Sequence, residues 1–287
     1  MKFWKYIFIV LLLVASTVWL SIFFFSDNNL HLITCDVGQG DAILVVFNKT
    51  QILIDGGPNN KIINCLSKHL PFWDRTLEAV FLTHSQKDHY QGLINVFERY
   101  KVDYFFANTL ESGDPEYQVL KNLVRGSNTK VINPTSGLKV GNSLIYLDIV
   151  WPLEDLETEE SIGREDKLNE FSIVSVLNFG EFSALLTGDI ESDISDQLSD
   201  NQLVKKTIVL KVPHHGSKNG LTKNLLEIIK PQVAVISVGK NSYGHPHKET
   251  LDLLNEFDVR TFRTDISGDI EVVTNGKKWW KENHIKF

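Results

Sequence analysis

Hydrophobic and polar positions change their pattern three times along the chain. From Tyr6 to Phe25 no charge interrupts an apolar run, and about 20 such residues suffice for a helix to cross the hydrocarbon core. Lys2 and Lys5 precede this run, and Asp27, Asn28 and Asn29 follow it, so the positive-inside rule orients the remainder toward the cell exterior. Residues 1–26 therefore read as a signal anchor with one transmembrane helix, and 27–287 as the domain it tethers at the cell membrane. Small residues at Ala15-Ser16-Thr17 offer a signal-peptide alternative, but the run continues past them, which favours an uncleaved anchor.

Beyond the anchor the period falls to two. His31–Val37, Ala42–Phe47 and Gln51–Asp55 alternate across turn-forming Gly38-Gln39-Gly40-Asp41 and Asn48-Lys49-Thr50, predicting antiparallel hairpins. Helical and extended patterns then take turns: helix over Asn60–Leu70, strand over Leu77–Leu82, helix over Gly92–Tyr100 starting near Gln91, strand over Val102–Ala107, helix over Glu116–Arg125. Strands are expected at Lys130–Ile132 and Ser143–Trp151, and the acidic stretch from Glu154 to Glu170 reads as an exposed loop. A second hairpin-rich part follows, with Phe171–Phe179 and Phe182–Thr187 around Gly180-Glu181. It leads into helices at Glu191–Leu198, Thr222–Ile229 and Lys248–Phe257 and strands at Thr207–Val212, Val233–Val238, Arg260–Thr264 and Asp269–Thr274. The fold class is α/β (α+β), a two-sheet sandwich coated by helices; adjacent hairpins argue against a doubly wound parallel sheet.

Composition narrows the function. The net charge is −7, and two of the lysines precede the apolar run, so the outer part is more acidic still and carries no broad phosphate-binding surface. Lys205, Lys206, Lys211 and Lys218 form the local patch expected to meet phosphate. Cys35 and Cys65 sit in apolar patterns that suit small buried side chains, and no disulfide framework is expected.

Six of nine histidines fall in three short motifs, His84 with His89, His214 with His215, and His245 with His247. Each motif stands just past an apolar strand, as does Asp189 in Thr187-Gly188-Asp189. Strand ends in a layered α/β fold converge on one edge, where loops can gather metal ligands into one pocket. Asp36 and Asp55 read as turn-fixing supports, the isolated His31, His69 and His284 as surface or cap residues, and Trp279-Trp280 as strand packing.

Taken together, D-V-G-Q-G-D-A, I-L-I-D-G-G, L-T-H-S-Q-K-D-H-Y-Q-G-L, L-L-T-G-D-I-E, L-K-V-P-H-H-G-S and S-Y-G-H-P-H resemble the metallo-β-lactamase-fold domain of ComEC-type competence proteins. The resemblance runs from about Leu32 to Val273, with the single anchor standing where such proteins carry a large membrane channel. It implies an αββα metallo-β-lactamase-like sandwich and a metal-dependent hydrolase. The family's H-x-H/D-x-D-H motif falls on His84, Gln86, Asp88 and His89, Asp189 takes the place of the metal-bridging carboxylate, and His215 that of the later histidine ligand. Asn169 matches the Asn of ComEC-like domains where the wider superfamily has a histidine. The expected sites are Asp88, His89, His215 and Asp189 for one ion, and His84, Gln86, Asn169 and shared Asp189 for a weaker one. Oxygen donors in place of imidazole move preference from Zn2+ toward Mn2+ or Mg2+, with one or two ions bound.

The implied reaction is hydrolysis of a phosphodiester by water activated at the metal. Asp88 orients the nucleophile and His245 or His214 serves the leaving oxygen, with Ser217 and Lys218 as candidate phosphate contacts. The substrate is DNA or an envelope polymer; a cell-envelope phosphodiesterase acting on teichoic acid or choline-phosphate is the alternative, within the roughly 17 Å that a five-residue tether spans. A catalytically degenerate binding or scaffold domain, marked by Gln86, is a third reading. Protein partners are not legible in the sequence.

Overall fold

The computed structural model describes residues 2–24, 27–108, 112–153 and 165–282. Helix α1 (Lys2–Phe24) covers most of the first apolar run, with large apolar side chains from Phe3 to Val14 exposed. Among the described residues no helix is long and apolar enough to cross a membrane; side chains 18–24 lie outside that description.

Two mixed sheets follow. The first joins β1 (Leu30–Thr34), β2 (Ile43–Phe47), β3 (Thr50–Ile54), β4 (Thr76–Leu82), β5 (Lys101–Ala107) and β6 (Lys130–Ile132) to β14 (Ile270–Thr274) and β15 (Trp279–Lys281), in the order β15-β14-β1-β2-β3-β4-β5-β6. The second joins β7 (Lys139–Gly141), β8 (Ile145–Trp151), β9 (Val174–Phe179), β10 (Phe182–Leu186), β11 (Val209–Lys211), β12 (Val233–Ile236) and β13 (Arg260–Arg263), in the order β13-β12-β11-β10-β9-β8-β7. In each sheet an antiparallel meander passes into parallel strands, at β3–β4 and at β10–β11. The expected hairpins are therefore present, with parallel crossovers beside them.

Period-two alternation explains the layering. In β2, Ile43, Val45 and Phe47 enter the core between the sheets, while Leu44 faces the outer layer of α2 (Lys61–His69), α3 (Lys87–Arg99) and α4 (Pro115–Gly126). The second sheet does the same: Ala184 and Val235 point inward, Leu185 and Ile236 outward toward α5 (Ser192–Asp200), α6 (Lys223–Ile229) and α7 (Lys248–Glu256). Both faces of each sheet's central strands are thus buried, giving the αββα sandwich.

Several expectations are corrected. Helix α3 begins at Lys87, not near Gln91, because Gln86 adopts the extended conformation of an N-cap; Asp88 and His89 consequently sit in the first helical turn. Strand β9 begins at Val174, after a 3-10 turn over Glu165–Phe171 that occupies the end of the supposed acidic loop; 154–164 lie outside the described residues. Strand β7 was not expected, and β8 starts at Ile145 because Asn142 Oδ1 accepts from the N–H groups of Leu144 and Ile145, fixing a turn there. His31 and His69 are not isolated: His31 Nδ1 bonds Glu271 at 2.6 Å, and His69 lies 3.3 Å from Asp269 and 3.7 Å from Glu271. Their β14-side partners are 200 or more residues away, beyond the reach of local pattern. His284 lies outside the described residues. Trp279 and Trp280 lie in edge strand β15.

Cys35 and Cys65 are joined in a disulfide, where free buried cysteines were expected. Each apolar pattern holds, with Cys35 fully buried and Cys65 nearly so, but β1 and α2 approach with Cα atoms 5.9 Å apart. The bond closes a 30-residue separation, which corresponds to about 3–4 kcal/mol of chain-entropy stabilisation. Replacing both cysteines by alanine should lower unfolding free energy by about that amount in denaturant titration; an unchanged midpoint and slope would remove the cross-link from the stabilising interactions.

Candidate metal centre

Ends of β3, β4, β10, β11 and β12 meet at one edge of the sandwich, and the loops leaving them carry the charged residues. Close backbone contact sets the geometry on the α3 side. Gly56 N–H donates to His89 O at 2.7 Å and Gly92 N–H to Gly57 O at 2.8 Å; a Cβ on Gly92 would lie 1.9 Å from Gly56 O. Only glycine allows the loop after β3 to lie on the helix in this way. That contact sets Asp55, at the end of β3, behind His89.

His89 is fully buried. Its Nδ1 donates to Asp55 Oδ2 at 2.8 Å, while Nε2 has no hydrogen-bond partner among the described residues and lies 3.3 Å from Asp189 Oδ2. His215 is oriented the same way. Its Nδ1 donates to Ser237 O at 3.0 Å, and Nε2 lies 3.1 Å from Asp189 Oδ2 and 3.3 Å from Asp88 Oδ2. Each imidazole thus spends one nitrogen on an outer acceptor and turns the other inward, as metal-ligating histidines do. One ligand atom from each of Asp88, His89, Asp189 and His215 falls within 4.8 Å of the others. Two imidazoles and two carboxylates around an orphaned ring nitrogen fit a divalent cation.

His84 and Gln86 occupy the neighbouring space but bond to each other: His84 Nε2 meets Gln86 Oε1 at 3.1 Å, and Nδ1 lies 3.2 Å from Ser172 Oγ. Asn169 Oδ1 is buried without a hydrogen-bond partner among the described residues. The structure therefore brings the first expected ligand set together and leaves His84 outside its four atoms. His214 and His245 stand at the rim with ring centroids 5.5 Å apart. Both line a cavity of about 560 Å3 along with Gln86, Asp88, Asn169 and Tyr243. Ser217 is buried and receives Asn219 N–H, and neither it nor exposed Lys218 lines the cavity.

Burial and charge oppose one another here. Burial disfavours the cationic form of His89, but Asp189 and Asp55 outweigh it and hold the imidazole well above its usual range; for His215, Asp189 and Asp41 do the same. Burial would raise Asp88 and Asp189, yet the facing imidazoles, with Lys211 also acting on Asp189, hold both carboxyls below the usual range. His84 goes the other way, pushed down to about 3 by burial and by His89, so it is neutral at pH 7. Burial, then His214, His215 and His247, lower His245 to about 4.

Lys211 belongs to this centre and not to a surface patch. It is 2% exposed and forms an ion pair with Asp41, whereas Lys205, Lys206 and Lys218 are exposed. The lysine ends β11, whose side chains are buried on both faces, so its ammonium is left to meet the carboxylates and the Gly188 carbonyl at the strand end. Asp41, Lys211, Ser172, Ser237 and Asn241 escaped the sequence reading as site components. Asn241 Oδ1 accepts from the N–H groups of Tyr243, Gly244 and His245 and so shapes the loop presenting His245. An Asn two residues before an aromatic-Gly pair was the available signal for that turn. Asp55 does act as a support, though its object is a candidate ligand and not only a turn.

The architecture is a metallo-beta-lactamase-like fold, and the metallo-beta-lactamase superfamily model matches residues 35–240. The chain belongs to that superfamily, a group of metal-dependent hydrolases. Relatives include ComE operon protein 3 of Bacillus subtilis (strain 168), 27% identical over 255 residues that cover 82% of this chain and 32% of that protein. Recombination protein 2 of Haemophilus influenzae is 28% identical over 248 residues, 83% of this chain and 28% of that protein. The resemblance to ComEC-type competence proteins is thus upheld, while the chain spans about a third of the length of these relatives. Among solved structures, the metallo-beta-lactamase fold protein YhfI from Bacillus subtilis superposes with a TM-score of 0.57 at 12% identity, covering 89% of this chain and all of that one. The diiron β-hydroxylase CmlA from Streptomyces venezuelae gives 0.53 at 13% identity, over 86% and 54% of the respective chains. Both likenesses concern the fold.

Raised His89 and His215 have a measurable consequence. The surrounding carboxylates favour the protonated rings and a divalent ion competes with those protons, so binding should release protons and tighten as pH rises. Calorimetric Mn2+ titrations in buffers of different ionisation enthalpy should show this release; buffer-independent heats would contradict the ligand assignment. The sign reverses for the metal-free fold. Groups with raised folded-state values give stability that is present below the unfolded value near 6.5 and lost as pH climbs through the folded value, so the melting temperature of metal-free protein should fall as pH is raised through that value.

Proposed function

We propose that this chain is a metal-dependent phosphodiesterase that cleaves nucleic acid on the outer side of the membrane. The observation that carries this reading is the convergence of Asp88, His89, Asp189 and His215 within 4.8 Å, beside a cavity edged by two further histidines. Asp88, His89, Asp189 and His215 would hold one divalent ion, Mn2+ or Zn2+ with Mg2+ also suited, and a second, weaker position would draw on His84, Gln86, Asn169 and the shared Asp189. A bound cation lowers the pKa of water and draws charge from phosphoryl oxygens.

The remaining work falls to side chains. Asp55 and the Ser237 carbonyl hold His89 and His215 in the tautomer with inward Nε2. His245, lowered to about 4, is a neutral imidazole at pH 7 and serves as hydrogen-bonding partner and proton acceptor at the rim instead of a standing acid. His214, held with φ 48°, ψ 49° in the left-handed region, faces it across the cavity. Such backbone is costly for a residue with a Cβ and is retained where side-chain direction matters. Tyr243 is 68% exposed beside the His245 ring at 5.7 Å, a platform on which a base can stack.

Nucleic acid is favoured as the phosphodiester by relatives named for the ComE operon and for recombination. Placement outside the membrane rests on the uncharged run Tyr6–Phe25 with its flanking lysines, and the Cys35–Cys65 disulfide suits an oxidising compartment. The acidic charge balance tilts slightly against DNA, so an envelope phosphodiester enters the same test. With Mn2+ supplied, the protein should hydrolyse bis-p-nitrophenyl phosphate and single-stranded DNA faster than duplex DNA or teichoic-acid fragments. Asp88→Ala should lose about a thousandfold or more in kcat/KM. Undiminished turnover by that variant would defeat the assignment, and a preference for teichoic-acid fragments would move the substrate to the envelope.

A further inference from the structure

The centre contains a cation of its own. Lys211 has three N–H donors on its ammonium and three acceptors around it: Asp41 Oδ2 in an ion pair, Gly188 O at 2.9 Å and Asp189 Oδ1 at 3.4 Å. Thr187 Oγ1 returns a bond to Lys211 O at 2.9 Å, so the strand and the Thr187-Gly188-Asp189 turn grip each other at both ends. The other oxygen of Asp189, Oδ2, is the one directed at His89 and His215. Asp41 extends the grip: its Oδ1 lies 3.4 Å from His215 Nδ1, and its backbone N–H donates to Asp88 O at 3.3 Å. A single buried pair therefore touches Asp88, Asp189 and His215, three of the four candidate ligand residues.

We propose that Lys211 and Asp41 are a positioning pair that holds Asp189 by Oδ1, so that Asp189 presents Oδ2 alone to a divalent ion and the site is assembled before the ion arrives. This rests on the reading of Asp189 as a ligand. A carboxylate free to turn can chelate through both oxygens or span two ions with one oxygen each; an ammonium fixed on Oδ1 removes both options. The positive charge also offsets mutual repulsion among Asp41, Asp55, Asp88 and Asp189, which otherwise favours an open site. Lysine suits the place better than arginine, because a compact head with three tetrahedral donors matches three acceptors that a planar fork cannot reach together.

The test uses the full chain with Mn2+ alone as probe, reading free ion by electron paramagnetic resonance and folding by thermal melting. Lys211→Met by itself strands buried Asp41 and is expected to destabilise. The double variant Lys211→Met with Asp41→Asn removes both charges together. It should melt cooperatively yet bind Mn2+ at least about tenfold more weakly than wild type, the range seen when outer partners of metal ligands are lost. A folded double variant with wild-type Mn2+ affinity and stoichiometry overturns the proposal. If the double variant does not fold, Lys211→Arg, which keeps the charge but not the fit, carries the same criterion: weakened binding supports the pair and unchanged binding overturns it. Wild-type protein that binds no Mn2+ would bring down the ligand reading itself, and the pair with it.

Discussion

Four carboxylates, Asp41, Asp55, Asp88 and Asp189, are drawn to one end of this sandwich, three of them essentially out of water. Like charges at such spacing in a low-dielectric interior cannot stay ionised without compensation. The protein supplies it through Lys211 and two imidazoles that burial alone would keep neutral. Burial also opposes the charge on Lys211, yet Asp41 and Asp189 keep its pKa raised. This balance is the constraint from which the rest follows. It requires acceptors behind each histidine, a fixed register between the two sheets, and loops short enough to bring strand ends within hydrogen-bond reach of one another.

The sheets meet that requirement through matched architecture. Each passes from antiparallel hairpins to parallel strands, and at that passage the chain leaves the sheet edge: β3 delivers Asp55, β10 delivers Asp189. Parallel neighbours then add their own termini, β4 with Thr83 and His84, β11 with Lys211 and the His214-His215 pair. Thr83 ties the first group together, giving its N–H to Asp55 Oδ1 and its hydroxyl to Asp55 Oδ2, both at 2.8 Å. Packing between the sheets therefore does more than stabilise: a slip of one residue in β10 would turn the inward residues outward and move Asp189 off its imidazoles.

Legibility in the sequence follows interaction range. Strands, outer helices and the two hairpin sets were visible because period two and period 3.6 are local. The histidine pairs were visible because ligand types recur beside strand ends, and the ligand set itself came through motif resemblance. Lys211 was misplaced because one residue in an apolar strand looks like an exposed edge charge unless its partner, Asp41, is known to lie across the other sheet, 170 positions earlier. Cys35 and Cys65 failed for the same reason, since burial was read correctly and proximity was not. The start of α3 is not legible because Gln86 is a weak N-cap, with no side-chain cap bond, and its extended backbone carries no local sequence signature.

The disulfide and the metal centre are also mechanically connected. Cys35 directly follows β1 and precedes the segment Asp36–Asp41, whose far end is the partner of Lys211 and whose Gln39 lines the cavity. Between them, Gly40 passes so close to α3 that an added Cβ would lie 2.2 Å from Asp88 O, and Asp36 N–H is held by Asp269. A six-residue loop fixed by a covalent bond at one end, an ion pair at the other and backbone contact in between has little freedom left. Its rigidity bears directly on ligand geometry, because Asp41 can face His215 and pair with Lys211 only from one position. Loss of the Cys35–Cys65 cross-link should thus be felt at the centre as a change in preorganisation, the property on which affinity for a cation depends once the ligand types are set.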